Sequence, residues 1–109
     1  MILAIVAALP ALAAFTDGNE LQRWMLQDEA PNGTKFESGL YKGYITGVVD
    51  LSNGVLFCTT PGVTRAQNVA IVTKYIKANP EKWNLPANVL VVDAMAEVFP
   101  CPKKQASLQ

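Results

Sequence analysis

The chain contains no histidine. That absence removes the side chain whose ordinary titration lies nearest neutral pH, and with it the Ser–His and Cys–His nucleophile arrangements. A phosphate-cradling loop is missing too: Gly39, Gly43 and Gly47 are evenly spaced but have neither the required pattern nor a preceding strand. Neither sign of charge is in excess, nine Lys and Arg balancing nine Asp and Glu. Without a positive field, nucleic acid and anionic membrane are not expected as partners. Only two cysteines occur, far apart, so no metal centre is expected, and no cofactor. What remains for acid–base chemistry is carboxylates, scattered from Asp17 to Glu97. A converging pair could serve a hydrolase; scattered surface acids are the simpler reading. Asp50 and Asp93, which interrupt apolar runs, read as caps or hydrogen-bonding groups rather than catalysts. The chain is expected to be no enzyme.

Apolar residues, by contrast, are abundant: half of the 109 residues are hydrophobic and 17% are charged, the balance of one globular domain. The run Met1–Leu9, then Pro10 and Ala11-Leu12-Ala13, reads as a secretory leader cleaved after Ala13, although no Lys or Arg precedes it. A membrane anchor is the competing reading, but a spanning helix needs roughly 20 apolar residues. Export would place Cys58 and Cys101 in an oxidising compartment, where an even pair is a disulfide by default. The resulting divisions are a leader over 1–13, a domain over 14–102 and a polar tail over 103–109.

Four stretches within the domain carry helical periodicity. Leu21, Trp24, Met25 and Leu26 follow the capping candidates Thr16 to Asn19; Ala30-Pro31-Asn32-Gly33 then forms a loop. Between Lys35 and Leu51 a stripe of Phe36, Leu40, Tyr44, Val48 and Leu51 runs beside a second stripe, Gly39, Gly43 and Gly47. Glycine costs about 1 kcal/mol in a helix interior, so three on one face call for the close approach of another helix, or else mark turns. A membrane-type glycine dimer is disfavoured by Lys42, Thr46 and Asp50. Ser52-Asn53-Gly54 offers a left-handed stop, Val55–Cys58 is helical or extended, and Thr59-Thr60-Pro61-Gly62 is a turn. Thr64 with Gln67 forms a capping box, opening a helix with an apolar face of Ala66, Val69, Ala70, Val72, Thr73 and Ile76 that stops at Asn79-Pro80. The last stretch starts at Leu85-Pro86 and runs through Ala87, Leu90, Val91, Ala94, Met95 and Val98; Val89–Val92 is also strand material, but the length favours a helix. The fold class expected is all-α, a small compact bundle of about four helices closed by one disulfide. Trp24, Tyr41, Tyr44, Tyr75 and Trp83 are either interface anchors or core.

Several of these segments also occur together in one family. Gly43-Tyr44-Ile45-Thr46-Gly47-Val48-Val49-Asp50, Phe57-Cys58, Gly62-Val63-Thr64 with Gln67, Val72-Thr73-Lys74-Tyr75-Ile76, Asn79-Pro80-Glu81, Leu85-Pro86-Ala87 and Phe99-Pro100-Cys101-Pro102 lie in the same order. Over about residues 20 to 102 the chain resembles the Rap/Tai family of type VI secretion amidase immunity proteins. The resemblance implies a periplasmic, mostly helical domain that binds a cognate peptidoglycan amidase effector and blocks its active site; some members are homodimers. It marks Gly43, Tyr44, Gly47, Asp50, Thr64, Gln67 and Pro80 as a shared structural motif. The family also carries two further cysteines, at positions held here by Met25 and Tyr41, which leaves Cys58 and Cys101 as the other pair. Asn32 in loop 30–34, and Asn53 and Thr60 in loop 52–63, are the candidate effector contacts. A general periplasmic stress or envelope protein of chaperone-like type, without a dedicated effector, is the alternative function.

Overall fold

The computed structural model describes residues 15–103, so the leader and nearly all of the polar tail lie outside the described residues. Helix α1 spans Gly18–Glu29, α2 Lys35–Ser52, α3 Arg65–Ala78 and α4 Ala87–Val98, with a 3-10 turn at Pro80–Lys82. Three of the four helices begin on a side-chain cap that satisfies otherwise orphaned N–H groups. Asp17 accepts from the Glu20 amide at 2.9 Å. Thr34 accepts from the Glu37 amide at 3.2 Å, while its own N–H donates to Gln27 Oε1 at 3.0 Å and so docks the start of α2 on α1. The capping box at α3 is present in full: Gln67 N–H donates to Thr64 Oγ1 at 3.1 Å, and Thr64 N–H to Gln67 Oε1 at 2.7 Å. Helix α4 starts directly after Pro86, which resolves the ambiguous run Val89–Val92 as helix.

Helix α1 packs chiefly on α2 and α3 chiefly on α4, while α2 touches both later helices. The two ends of the fold are sewn together by backbone: Gly18 N–H donates to Leu85 O at 2.8 Å, and Ala87 N–H to Thr16 O at 2.9 Å. Gly18 has no room for a side chain there, since a Cβ would lie 2.6 Å from Trp83 O. Buried in the common core are Leu21 and Met25 of α1, Tyr41, Ile45 and Val49 of α2, Val72, Tyr75 and Ile76 of α3, and Leu90, Val91, Ala94 and Met95 of α4. Phe57, from the loop after α2, joins them with no exposed surface. The Cys58–Cys101 disulfide, spanning 43 positions, holds that loop to the segment after α4.

Two expectations for α2 need correction. The buried face is Tyr41, Ile45 and Val49, not the stripe of Phe36, Leu40, Tyr44, Val48 and Leu51, whose two ends are exposed. Nor does another helix of the described chain approach Gly39, Gly43 and Gly47: a Cβ at any of them would meet nothing within 4 Å. Tyr41 wins the interior because its hydroxyl finds a partner, Thr73 Oγ1 of α3, at 2.7 Å. In α3 the small residues Ala66 and Ala70 are exposed and Tyr75 is buried instead. Trp24, Tyr44 and Trp83 are half-buried against the core, Trp24 meeting Tyr44 edge-on with ring centroids 6.2 Å apart.

A candidate partner-binding face

Where α2 ends, the chain turns through a tightly braced loop. Asn53 N–H donates back to Val49 O at 2.9 Å, and Val55 and Leu56 N–H groups both donate to Ser52 O, at 3.0 and 2.9 Å. Gly54, with φ of +87°, lets Gly54 N–H reach Phe57 O at 2.7 Å, closing a small ring. Asn53, the C-cap, is extended, and the left-handed residue is Gly54 directly after it. The Asn53 side chain clamps the far arm: Nδ2 donates to Thr59 Oγ1 at 2.9 Å and Oδ1 accepts from Thr59 N–H at 3.0 Å. Cys58 N–H donates to Phe99 O at 2.9 Å beside the disulfide. The next turn, Thr60 to Val63, has Gly62 at φ of +91°, as the Pro-Gly pair requires.

This bracing fixes apolar groups in solvent. Val55 is 75% and Leu56 56% exposed, on a loop whose neighbour Phe57 is fully interior. Thr60 and Pro61 are exposed at the next turn. A rigid loop with outward aliphatics loses little conformational freedom on binding, which suits it to a protein partner. Beside it lies a polar cleft of about 240 Å³, bordered by Thr46, Asp50, Asn53, Thr59, Arg65 and Asn68. Asn68 Oδ1 is buried at this cleft and accepts no hydrogen bond from the described residues.

The structure brings Asn53 and Thr60 together on this loop but leaves Asn32 at the other end of α2, roughly 27 Å away for an 18-residue helix. Gly43, Gly47 and Asp50 lie on the exposed side of α2, whereas Tyr44 faces inward; Thr64 and Gln67 are engaged in capping, and Pro80 opens the 3-10 turn. Val55 and Leu56 are exposed aliphatics on this loop that the sequence reading did not single out as candidate contacts. Asn53-Gly54 signals the turn, but that Val55 and Leu56 stay in solvent while Phe57 enters the core is decided by the fold.

Groups with shifted ionisation lie away from the loop. Burial holds the Tyr41 phenol well above its ordinary range, and burial likewise raises Tyr44. Lys82 is raised by its hydrogen bond to Tyr75 Oη, 3.0 Å away, with the ammonium also 5.5 Å above that ring. Asp28 and Glu29 border one groove of about 630 Å³ along α3. Each carboxylate is answered by a lysine, Lys42 at 3.4 Å and Lys77 at 2.7 Å, so the pair is not arranged as acid and base. Among the described residues no three His, Cys, Asp or Glu side chains converge as metal ligands, and no helix is long and apolar enough to cross a membrane.

A family model for Rap1a immunity proteins matches residues 17–101, from the cap of α1 to the second cysteine. The chain belongs to the Rap1a immunity protein family. All four helices, the braced loop and the disulfide of this Rap1a-family chain fall within the matched residues. Membership implies an immunity protein directed against a bacterial effector. No curated protein matches the chain.

Proposed function

We propose that the chain is a non-catalytic inhibitor, exported to the periplasm, that binds a peptidoglycan amidase effector of a type VI secretion system and occludes its catalytic cleft. The observation carrying this reading is the loop from Asn53 to Val63, anchored by Phe57, the Asn53–Thr59 clamp and the disulfide, with Leu56 and Val55 held outward. An occluding element has to keep its shape inside a cleft, and this loop is built to do so. Family membership supplies the class of partner. The disulfide supports export, because such bonds persist in oxidising compartments.

Titrating the purified protein into an amidase encoded beside its gene tests the proposal. Peptidoglycan hydrolysis should stop at one-to-one stoichiometry, and Val55→Asp/Leu56→Asp should abolish inhibition while leaving the circular dichroism unchanged. Undiminished hydrolysis at excess inhibitor refutes it. Protection of unrelated unfolded proteins from aggregation would favour the chaperone-like reading.

A further inference from the structure

Two exposed charges beside the braced loop stand at the wrong ends of their helices. Asp50 lies in the last turn of α2, where unsatisfied carbonyl groups concentrate negative potential, and no basic residue shares that turn. Arg65 is the first residue of α3, at the positive end of that helix, and no acidic residue accompanies it in the first turn. Both border one cleft with Asn53 and Thr59 of the loop clamp, yet neither makes an ion pair with the other or with any described residue. Lys42 also borders the groove beside Asp50 but is committed to Asp28, 3.4 Å away. In the same cleft the buried Asn68 Oδ1 accepts no hydrogen bond from the described residues, a cost that a donor from outside would remove. Lys35 and Glu97 oppose their helices as well, but neither borders this cleft or its unpaired buried oxygen.

We propose that this cleft is the specificity site of the partner-binding face. It receives a pair of oppositely charged side chains from the effector, the basic one against Asp50 and Asn68 Oδ1 and the acidic one against Arg65; this rests on the inhibitor reading and names what the effector must present. Each sign follows from the group that faces it. The Asp50 carboxylate and the Asn68 oxygen only accept hydrogen bonds, and a Lys or Arg brings several donors to one point. The Arg65 guanidinium donates in a fixed fork that fits a carboxylate. The helix ends agree, because a cation beside the end of α2 and an anion beside the start of α3 offset both adverse placements. An effector presenting one sign of charge alone would be attracted by one wall of the cleft and repelled by the other. Asn53 and Thr59 belong to the clamp of the loop that carries Val55 and Leu56, so the cleft adjoins the apolar contact. The aliphatics then supply buried area, while the cleft rejects partners whose charges are reversed.

In the free, oxidised chain, Asp50→Asn and Arg65→Gln should each raise the midpoint of thermal unfolding by about 1–8 °C, because each removes a charge opposed to its helix. The exchange Asp50→Arg/Arg65→Asp should raise it further. A fall in both single variants would show that Asp50 and Arg65 hold each other in the free chain, and overturns the proposal with no partner present. Calorimetric titration with the amidase encoded beside the gene should give the opposite sign. Each single variant should bind ~30-fold or more weakly, and the exchange more weakly still. Wild-type affinity in all three variants, with binding still abolished by Val55→Asp/Leu56→Asp, overturns the cleft and leaves the inhibitor reading standing. An amidase that does not bind the wild type defeats the inhibitor reading and the cleft with it. Binding of free glycine to the wild type, lost in Asp50→Asn, also overturns the proposal, because the cleft then belongs to a small zwitterion.

Discussion

Removing the bond between Cys58 and Cys101 should cost the protein close to half of a small domain's usual stability. The bond closes a loop of 43 positions, from the turn after α2 through α3 to the end of α4. Closing that length removes about 13 cal/mol/K from the unfolded chain on the chain-entropy account, or about 4 kcal/mol at 25 °C. Typical domains hold only about 5–15 kcal/mol in total. At about 4–8 °C per kcal/mol for a domain of this size, the midpoint of thermal unfolding should fall by roughly 15–30 °C. The measurement is guanidinium and thermal unfolding of the oxidised wild type, the same protein under reductant, and Cys58→Ala/Cys101→Ala. Both routes that lack the S–S bond should agree, because the Cys58 N–H to Phe99 O hydrogen bond does not depend on that bond. A difference below about 1 kcal/mol would refute the loop-closure reasoning, since the two segments would then already be held together in the unfolded ensemble.

Other perturbations have opposite signs that the fold dictates. Gly39→Ala and Gly43→Ala should each stabilise α2 by about 1 kcal/mol, because the added methyl meets open space; Gly18→Ala should destabilise, because it meets the Trp83 carbonyl. Circular dichroism melts of the three variants check both signs. Phe57→Ala should cost about 3–5 kcal/mol by opening a cavity under the braced loop, and denaturant midpoints read it; a loss under 1 kcal/mol would mean that Phe57 does not anchor the loop. Stability should fall as pH rises past about 10: the unfolded chain releases the Tyr41 proton at the ordinary value of 10.0 while the folded chain retains it, so the unfolded state binds fewer protons there. The raised Lys82 acts in the same direction, its contribution being complete below the ordinary 10.5 and lost as pH climbs through the folded value. Guanidinium midpoints across this range should drop for the wild type and drop less for Tyr41→Phe; equal slopes would contradict it.

Local chemistry made much of the helical framework readable in advance. Thr64 and Gln67 announce the start of α3 because a capping box satisfies two orphan amides with residues three apart, and the neighbours alone decide that geometry. Pro61-Gly62 makes a turn and Asn79-Pro80 stops α3 for equally local reasons, and two cysteines admit a single pairing. The loop that became the candidate partner-binding face was legible as a turn, though its outward aliphatics were not. Which side of each helix faces inward was decided elsewhere. Helix α2 carries apolar residues around most of its circumference, so periodicity alone favoured Phe36 and Leu51, which the fold leaves in solvent. The choice fell to Tyr41, Ile45 and Val49 because α1, α3 and α4 together enclose that side, and because Thr73, 32 positions away, satisfies the buried Tyr41 hydroxyl. Gly39, Gly43 and Gly47 then had to point outward, whatever their spacing suggested. A capping residue answers to its own backbone, but a buried face exists only when distant helices close over it, and that closure is a property of the assembled bundle.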